Sequence, residues 1–173
     1  MSPFSKPVEH QCAVFVTAGP QRPVPMSDVV YRPEAPRDGA AIEAIAREAF
    51  GPGRYARAAE RVRELHAACA TLCFVAELGG EIVGSVRLSA LRNRDERAVM
   101  LGPLAVRPHL KGRGIGKALL RLAADAARKQ AFAAIYLVGD SPYYGLLGYR
   151  VAAPGRISLP RPVDPSRVLV LEL

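Results

Sequence analysis

Three glycines at alternate positions, Gly112, Gly114 and Gly116, are interleaved with the cations Lys111, Arg113 and Lys117. They sit in the stretch Leu101-Gly-Pro-Leu-Ala-Val-Arg-Pro-His-Leu-Lys-Gly-Arg-Gly-Ile-Gly-Lys-Ala-Leu-Leu120. The residues ahead of the glycines read as an apolar strand and those behind them as a helix. The glycines therefore fall where the chain turns from one into the other. Glycine takes away the side chain that would hold a ligand off the backbone. The unpaired amides of a helix's first turn carry about half a positive charge. Lys and Arg add charge-assisted bonds to phosphate oxygens. The expected chemistry is the cradling of a diphosphate by the backbone of Gly112, Arg113, Gly114, Ile115 and Gly116 and by the charges of Lys111, Arg113 and Lys117.

The spacing sets this loop apart from two other nucleotide-binding loops. A P-loop needs a glycine where Lys111 stands and a hydroxyl residue after Lys117, where Ala118 follows. A dinucleotide fingerprint needs its third glycine where Lys117 stands, and no strand, turn and helix opens the chain as a Rossmann unit would. Lys111-Gly-Arg-Gly-Ile-Gly116 instead resembles the Gln/Arg-x-x-Gly-x-Gly/Ala signature of the GNAT superfamily of acyl-CoA-dependent N-acetyltransferases, with Lys111 at the Gln/Arg place. Tyr144-Gly-Leu-Leu-Gly148-Tyr149 is similar to the family's Tyr-x-x-x-Gly-Phe/Tyr segment after the next strand. These motifs occupy Ala98 to Tyr149, and the element order of residues 29 to 173 is compatible with the whole GNAT fold.

The resemblance implies an α/β fold: a mixed, mostly antiparallel twisted sheet with helices on both faces and a splayed central strand pair. Gly102-Pro103 inside a strand agrees, because proline donates no ladder bond and marks an edge or a bulge. The pantetheine arm of acetyl-CoA would lie in the splay against the backbone of Leu104 and Val106, alternating with Ala105, and the Leu104 amide would meet the oxyanion. The general acid position falls on Tyr144. A tyrosine suits it, since its reference pKa of about 10 is close to that of the departing thiol. Tyr143, about 100° round a helix, is expected to pack or to line the substrate side. Some family members carry a basic Glu on the central strand, and the matching residue here is Met100. Water-mediated deprotonation toward Glu77, Asp95, Glu96 or Asp140 is the substitute, with none of the four singled out.

Positioning these groups takes a sequence of elements. Val29 to Pro33 reads as a strand. Asp38 is placed to cap a helix whose inner face is Ile42, Ile45, Ala46 and Ala49, ended by Gly51-Pro-Gly53. A second helix is expected from about Tyr55 to Ala70. Phe74 to Leu78 and Glu81 to Ala90 form a hairpin across Gly79-Gly80, and Ala98 to Val106 is the next strand. The helix after the glycine loop puts Ile115, Leu119, Leu122 and Ala126 inward, with Arg121, Asp125, Arg128 and Lys129 outward. Ala133 to Gly139 is a buried strand. Ser141-Pro142 offers an N-cap and first-turn proline to a short helix. Arg150 to Ala152 and Val168 to Leu173 close the sheet around a Pro-rich loop from Pro154 to Pro165.

At 173 residues the chain has the size of one domain. Residues 1 to 28, rich in proline and without a period, are expected to be a disordered N-terminal tail, with Met26 an alternative start and residues 29 to 173 the acetyltransferase domain. No apolar run reaches the ~20 residues of a membrane span. Three cysteines without a paired framework point to the cytoplasm. His66, Cys69 and Cys73 share a helical face but lack a fourth ligand, so core packing is preferred to a metal site and no metal is expected. The net charge of +8 is met by a solvated surface and an anionic cofactor; with no Trp and no nucleic-acid motif, nucleic acid is not expected as a partner. The partners are acetyl-CoA and an amine acceptor, the chain acting alone or as a homodimer. The expectation is acetyl transfer to a primary amine by direct attack in a ternary complex; the alternative is an acyl-CoA-binding regulatory module without turnover.

Overall fold

The computed structural model describes residues 28–51, 68–93, 96–160 and 162–173. The N-terminal segment up to residue 27, most of the second helix expected from Tyr55, and Asp95 lie outside the described residues. The described strands are β1 (Val29–Pro33), β2 (Phe74–Leu78), β3 (Glu81–Asn93), β4 (Glu96–Val106), β5 (Ala134–Val138), β6 (Arg150–Val151) and β7 (Val168–Glu172). They form one sheet in the order β1-β2-β3-β4-β5-β7-β6. Only β4 and β5 pair in parallel; the other pairs are antiparallel. Gly79 and Gly80, at φ 59° and 85°, turn β2 into β3, a conformation that side chains with a Cβ seldom adopt.

Helices α1 (Gly39–Phe50) and α2 (Ile115–Lys129) cover opposite faces, and the one-turn α3 (Ser141–Gly145) follows β5. Side chains alternate across each strand. Val99, Leu101, Ile135 and Leu137 therefore join the core under α2, while Val75 and Ala105 join Ile42 and Ile45 of α1. Met100 and Tyr136 share the α1 side of the sheet with Ala152, Ile157 and Leu159.

Four local readings change. The buried stripe of α2 is Ile115, Leu119, Leu120, Ala123, Ala124 and Ala127, so Leu122 and Ala126 flank it rather than form it. Asp38 precedes α1 but does not cap it; its carboxylate accepts from the Ala35 amide at 2.8 Å and from Arg32. Asp140, not Ser141, occupies the N-cap of α3, again without a side-chain cap bond. Ala68 and Cys69 are not helix: Ala68 bridges Ser89, the Cys69 amide donates to Leu88 across to β3 at 2.8 Å, and Ala70 opens a 3₁₀ turn that runs to Leu72.

Candidate functional site

The sheet opens between β4 and β5. They pair only at Ala98 with Ala134, Val99 with Ile135 and Met100 with Tyr136. Beyond that point Leu137 and Val138 hold only to β7, and Leu104 to Val106 hold only to β3. The cause is in β4 itself. Val86 faces Leu104 and Leu88 faces Leu101, so β4 spends one more residue than β3 across Gly102-Pro103. Such a bulge bends the strand that carries it.

The released edge of β4 presents backbone to the gap. The Arg107 amide donates to Val83 of β3 at 2.9 Å. Backbone groups alternate in direction along a strand, so Ala105 also turns toward β3 while Leu104 and Val106 turn theirs into the slot. An extended chain laid there would find strand-like partners, as in strand addition to a sheet edge.

At the mouth of the slot β4 runs into the glycine loop and α2. Gly112 and Gly114 take φ of 80° and 86°, and a Cβ at either would meet nothing within 4 Å. Glycine is needed there for the turn, and the loop's outer surface is open. Gly114 is the left-handed N-cap of α2 and brings no side chain to cap the helix amides. Those first amides have no acceptor within the helix, and Lys111 and Arg113 of the preceding loop are exposed. Ile115 instead turns inward, almost wholly buried. Arg107 ties the start of the loop to α1 through Glu48 at 2.8 Å. The arrangement can hold an anion at the mouth and an extended arm in the slot.

Gly116 is a different case. A Cβ there would lie 3.1 Å from the Tyr143 hydroxyl, 3.8 Å from Val106 Cγ2 and 3.9 Å from Leu104 Cδ2. Tyr143 therefore reaches from α3 across the slot mouth, a contact that the sequence reading, which had it packing or lining the substrate side, did not specify. Tyr144 stands over the end of β5: a Cβ on Gly139 would come 2.4 Å from its Cε2. Its ring meets Tyr143 edge-on at 4.9 Å and Tyr149 at 5.7 Å between centroids. Tyr149 is buried, its hydroxyl has no partner among the described residues, and burial pushes its pKa well above the usual phenol value. The signal that could have pointed to the Tyr144 contact was Gly139 at a strand end.

Met100 is 1% exposed and pairs with the last β5 residue before the opening. Of the four carboxylates named as distant bases, the three described ones are engaged: Glu77 takes a bond from Arg32 at 2.9 Å, Asp140 pairs with Arg167 at 3.0 Å, and Glu96 pairs with Arg156 at 3.0 Å. Glu96 also accepts from the Tyr136 hydroxyl at 3.0 Å; burial and this bond push Tyr136 up to about 12. Arg156 reaches Glu172 as well. It thereby pins the 154–165 loop over the α1 side of the sheet, where Ile157, Leu159, Val163 and Pro165 line a cavity of about 240 Å³. The Cys73 thiol donates to the Cys69 carbonyl, and burial raises it to about 11. His66 lies outside the described residues.

Residues 40–146 match the model of the Acetyltransferase (GNAT) family. The chain is 29% identical over 128 residues to the uncharacterized N-acetyltransferase YhbS of Escherichia coli, a span covering 72% of this chain and 75% of that protein. The structure is similar to that of Escherichia coli YhbS in complex with CoA, with a TM-score of 0.66, 23% identity, and 84% and 81% of the two chains covered. It is also similar to a Brucella melitensis GNAT acetyltransferase in complex with acetyl-CoA, with a TM-score of 0.61, 26% identity, and 83% and 96% covered. No described helix is long and apolar enough to cross a membrane. The sheet that parts beyond Met100, the glycine loop at the mouth of the gap and the family match agree, and the chain belongs to the GNAT family of acetyltransferases.

Proposed function

We propose that this acetyltransferase moves the acetyl group of acetyl-CoA to a primary amine by direct attack, with no covalent enzyme intermediate. The observation that carries the reading is the slot between β4 and β5, whose backbone-lined edge runs straight into the glycine loop and the start of α2. The diphosphate would be held by the backbone of Gly112 to Gly116 with Lys111, Arg113 and Lys117 around it, and the pantetheine arm by Leu104, Ala105 and Val106. The neutral amine nitrogen attacks the thioester carbonyl carbon and gives up one proton through water to solvent, the carbon–sulfur bond breaks, and the thiolate takes its proton from Tyr144, whose phenolate recovers a proton from solvent. The Leu104 amide would stabilise the carbonyl oxygen as charge develops on it. The acceptor would approach from the α1 side, beneath the 154–165 loop.

A second reading, acyl-CoA binding without turnover, is favoured by one observation: the strand residue nearest the opening is a buried methionine, and Glu77, Glu96 and Asp140 all pair with arginines. Calorimetry with acetyl-CoA, run beside thiol release over a panel of amines, separates the two. Acetyl transfer predicts acetyl-CoA binding and release of free thiol that depends on at least one amine. Binding with no amine-dependent release for any acceptor selects the binding module, and absence of binding removes both.

A further inference from the structure

Tyr143 of α3 stands beside groups from two other elements, α2 and β4. Its hydroxyl lies 3.1 Å from where a Cβ on Gly116 would sit, and the same spot is bordered by Leu104 and Val106 of β4. These are the first turn of α2 and the released edge of the slot, so the oxygen stands where the slot meets the anion-holding loop. Among the described residues this hydroxyl has no hydrogen-bond partner. The residue is 40% exposed, and the perpendicular contact with Tyr144 sets the direction of its ring. We infer that the Tyr143 hydroxyl donates a hydrogen bond to a phosphate oxygen of acyl-CoA at the mouth of the slot.

The chemistry fits the place. A phenol at neutral pH is a donor that carries no charge, and burial raises the pKa of this one further, so it stays protonated beside an anion. A donor to a charged acceptor makes one of the stronger hydrogen bonds. Tyr143 also gives Gly116 a second reason to be glycine. The family signature admits Gly or Ala at that place, but here an alanine methyl would stand 3.1 Å from the hydroxyl and displace it. Glycine at 116 and tyrosine at 143 thus form a matched pair in this chain. The donor closes the phosphate site from α3, opposite the basic loop, while Tyr144 remains over the end of β5.

This inference rests on the proposed acyl-CoA site, and its test is read on CoA binding by the full chain. The dissociation constant for CoA is measured by calorimetry for the parent, Tyr143→Phe, Gly116→Ala and the double variant, with melting temperatures recorded for each. Phe keeps the ring and its contact with Tyr144 and removes only the oxygen. Tyr143→Phe is expected to bind CoA about tenfold or more weakly than the parent, the effect of losing a hydrogen bond to a charged group. Gly116→Ala is expected to weaken binding too, and the double variant to bind no more weakly than the worse single change, because both remove the same bond. Parent-like binding by Tyr143→Phe, or losses that add in the double variant, would overturn the inference and leave the acyl-CoA site standing. A parent that does not bind CoA would overturn both.

Discussion

Two adjacent tyrosines on one short helix stand over different parts of the slot, and that separation is what the roles proposed for them depend on. Tyr144 is pressed onto Gly139 and wedged against Tyr149, over the end of β5, whereas Tyr143 reaches Gly116 at the start of α2. An acid for the departing thiolate has to be held near the inner end, and packing on three sides limits how far the Tyr144 ring can turn. Replacing Tyr144 with Phe preserves that packing and removes the proton. Turnover at saturating acetyl-CoA is expected to fall about 10²-fold or more, the usual worth of positioned proton transfer. Single-turnover kinetics at saturating donor make the measurement. Equal rates in variant and parent, with chemistry limiting, would remove Tyr144 from the acid role.

At the scale of elements, the proposed anion site depends on how closely α2 is seated on the sheet. Gly84 of β3 lies under the first two turns of that helix. A Cβ there would come 3.2 Å from Ile115 Cγ2, 3.3 Å from the Ala105 carbonyl and 3.3 Å from Leu119 Cδ1. Both side chains are fully buried and the third neighbour is strand backbone, so little can yield. Gly84→Ala is therefore expected to lift the start of α2 at a cost of about 1–3 kcal/mol, the range for overpacking a core. For a chain of this size each kcal/mol lowers the melting temperature by about 2–4 °C. Calorimetric unfolding checks the loss, and CoA titration of the same variant should show weaker binding because the loop travels with the helix. An unchanged melting temperature would mean that the seat is looser than these distances imply.

For the whole molecule, ion pairs between distant segments do what no single element can. Arg32 joins β1 to β2 through Glu77 and to the start of α1 through Asp38, while Arg87 of β3 pairs with Glu34 at 2.6 Å. Asp38 is 4% exposed, and the Arg32 guanidinium, outweighing the burial that opposes it, holds its carboxyl down at about 2. A depressed carboxylate pKa stabilises the fold above the unfolded-state value near 4, and that contribution is lost as pH falls from about 4 through about 2. The shift corresponds to about 2 kcal/mol. Urea unfolding from pH 5 to pH 2 should show the parent losing about that much more stability than Asp38→Asn, which has no proton to bind. Parallel curves for the two proteins would show that Asp38 does not control this part of the acid response.

The geometry of the loop was legible in the chain because it is local. Positive φ at Gly112 and Gly114, the cations among them and the helix that follows all lie within a few consecutive residues. Gly102-Pro103 announced the bulge for the same reason, since a missing amide in a strand has a local consequence. The mixed, mostly antiparallel sheet and its splayed central pair followed from the resemblance carried by two motifs. What the chain alone did not disclose depends on contacts between segments far apart in sequence. Adjacent leucines at 119 and 120 left the buried stripe of α2 ambiguous by part of a turn, and its contact with the sheet selected Leu120, Ala123 and Ala127 over Leu122 and Ala126. Asp38 looked like a helix cap, but Arg32, a near neighbour in the chain that distant Glu77 of β2 also holds, claimed its carboxylate, because a buried charge takes the strongest partner that folding brings to it. The reach of Tyr143 to Gly116 belongs to tertiary structure alone, since only the docking of α3 against the first turn of α2 puts that hydroxyl at the mouth of the slot.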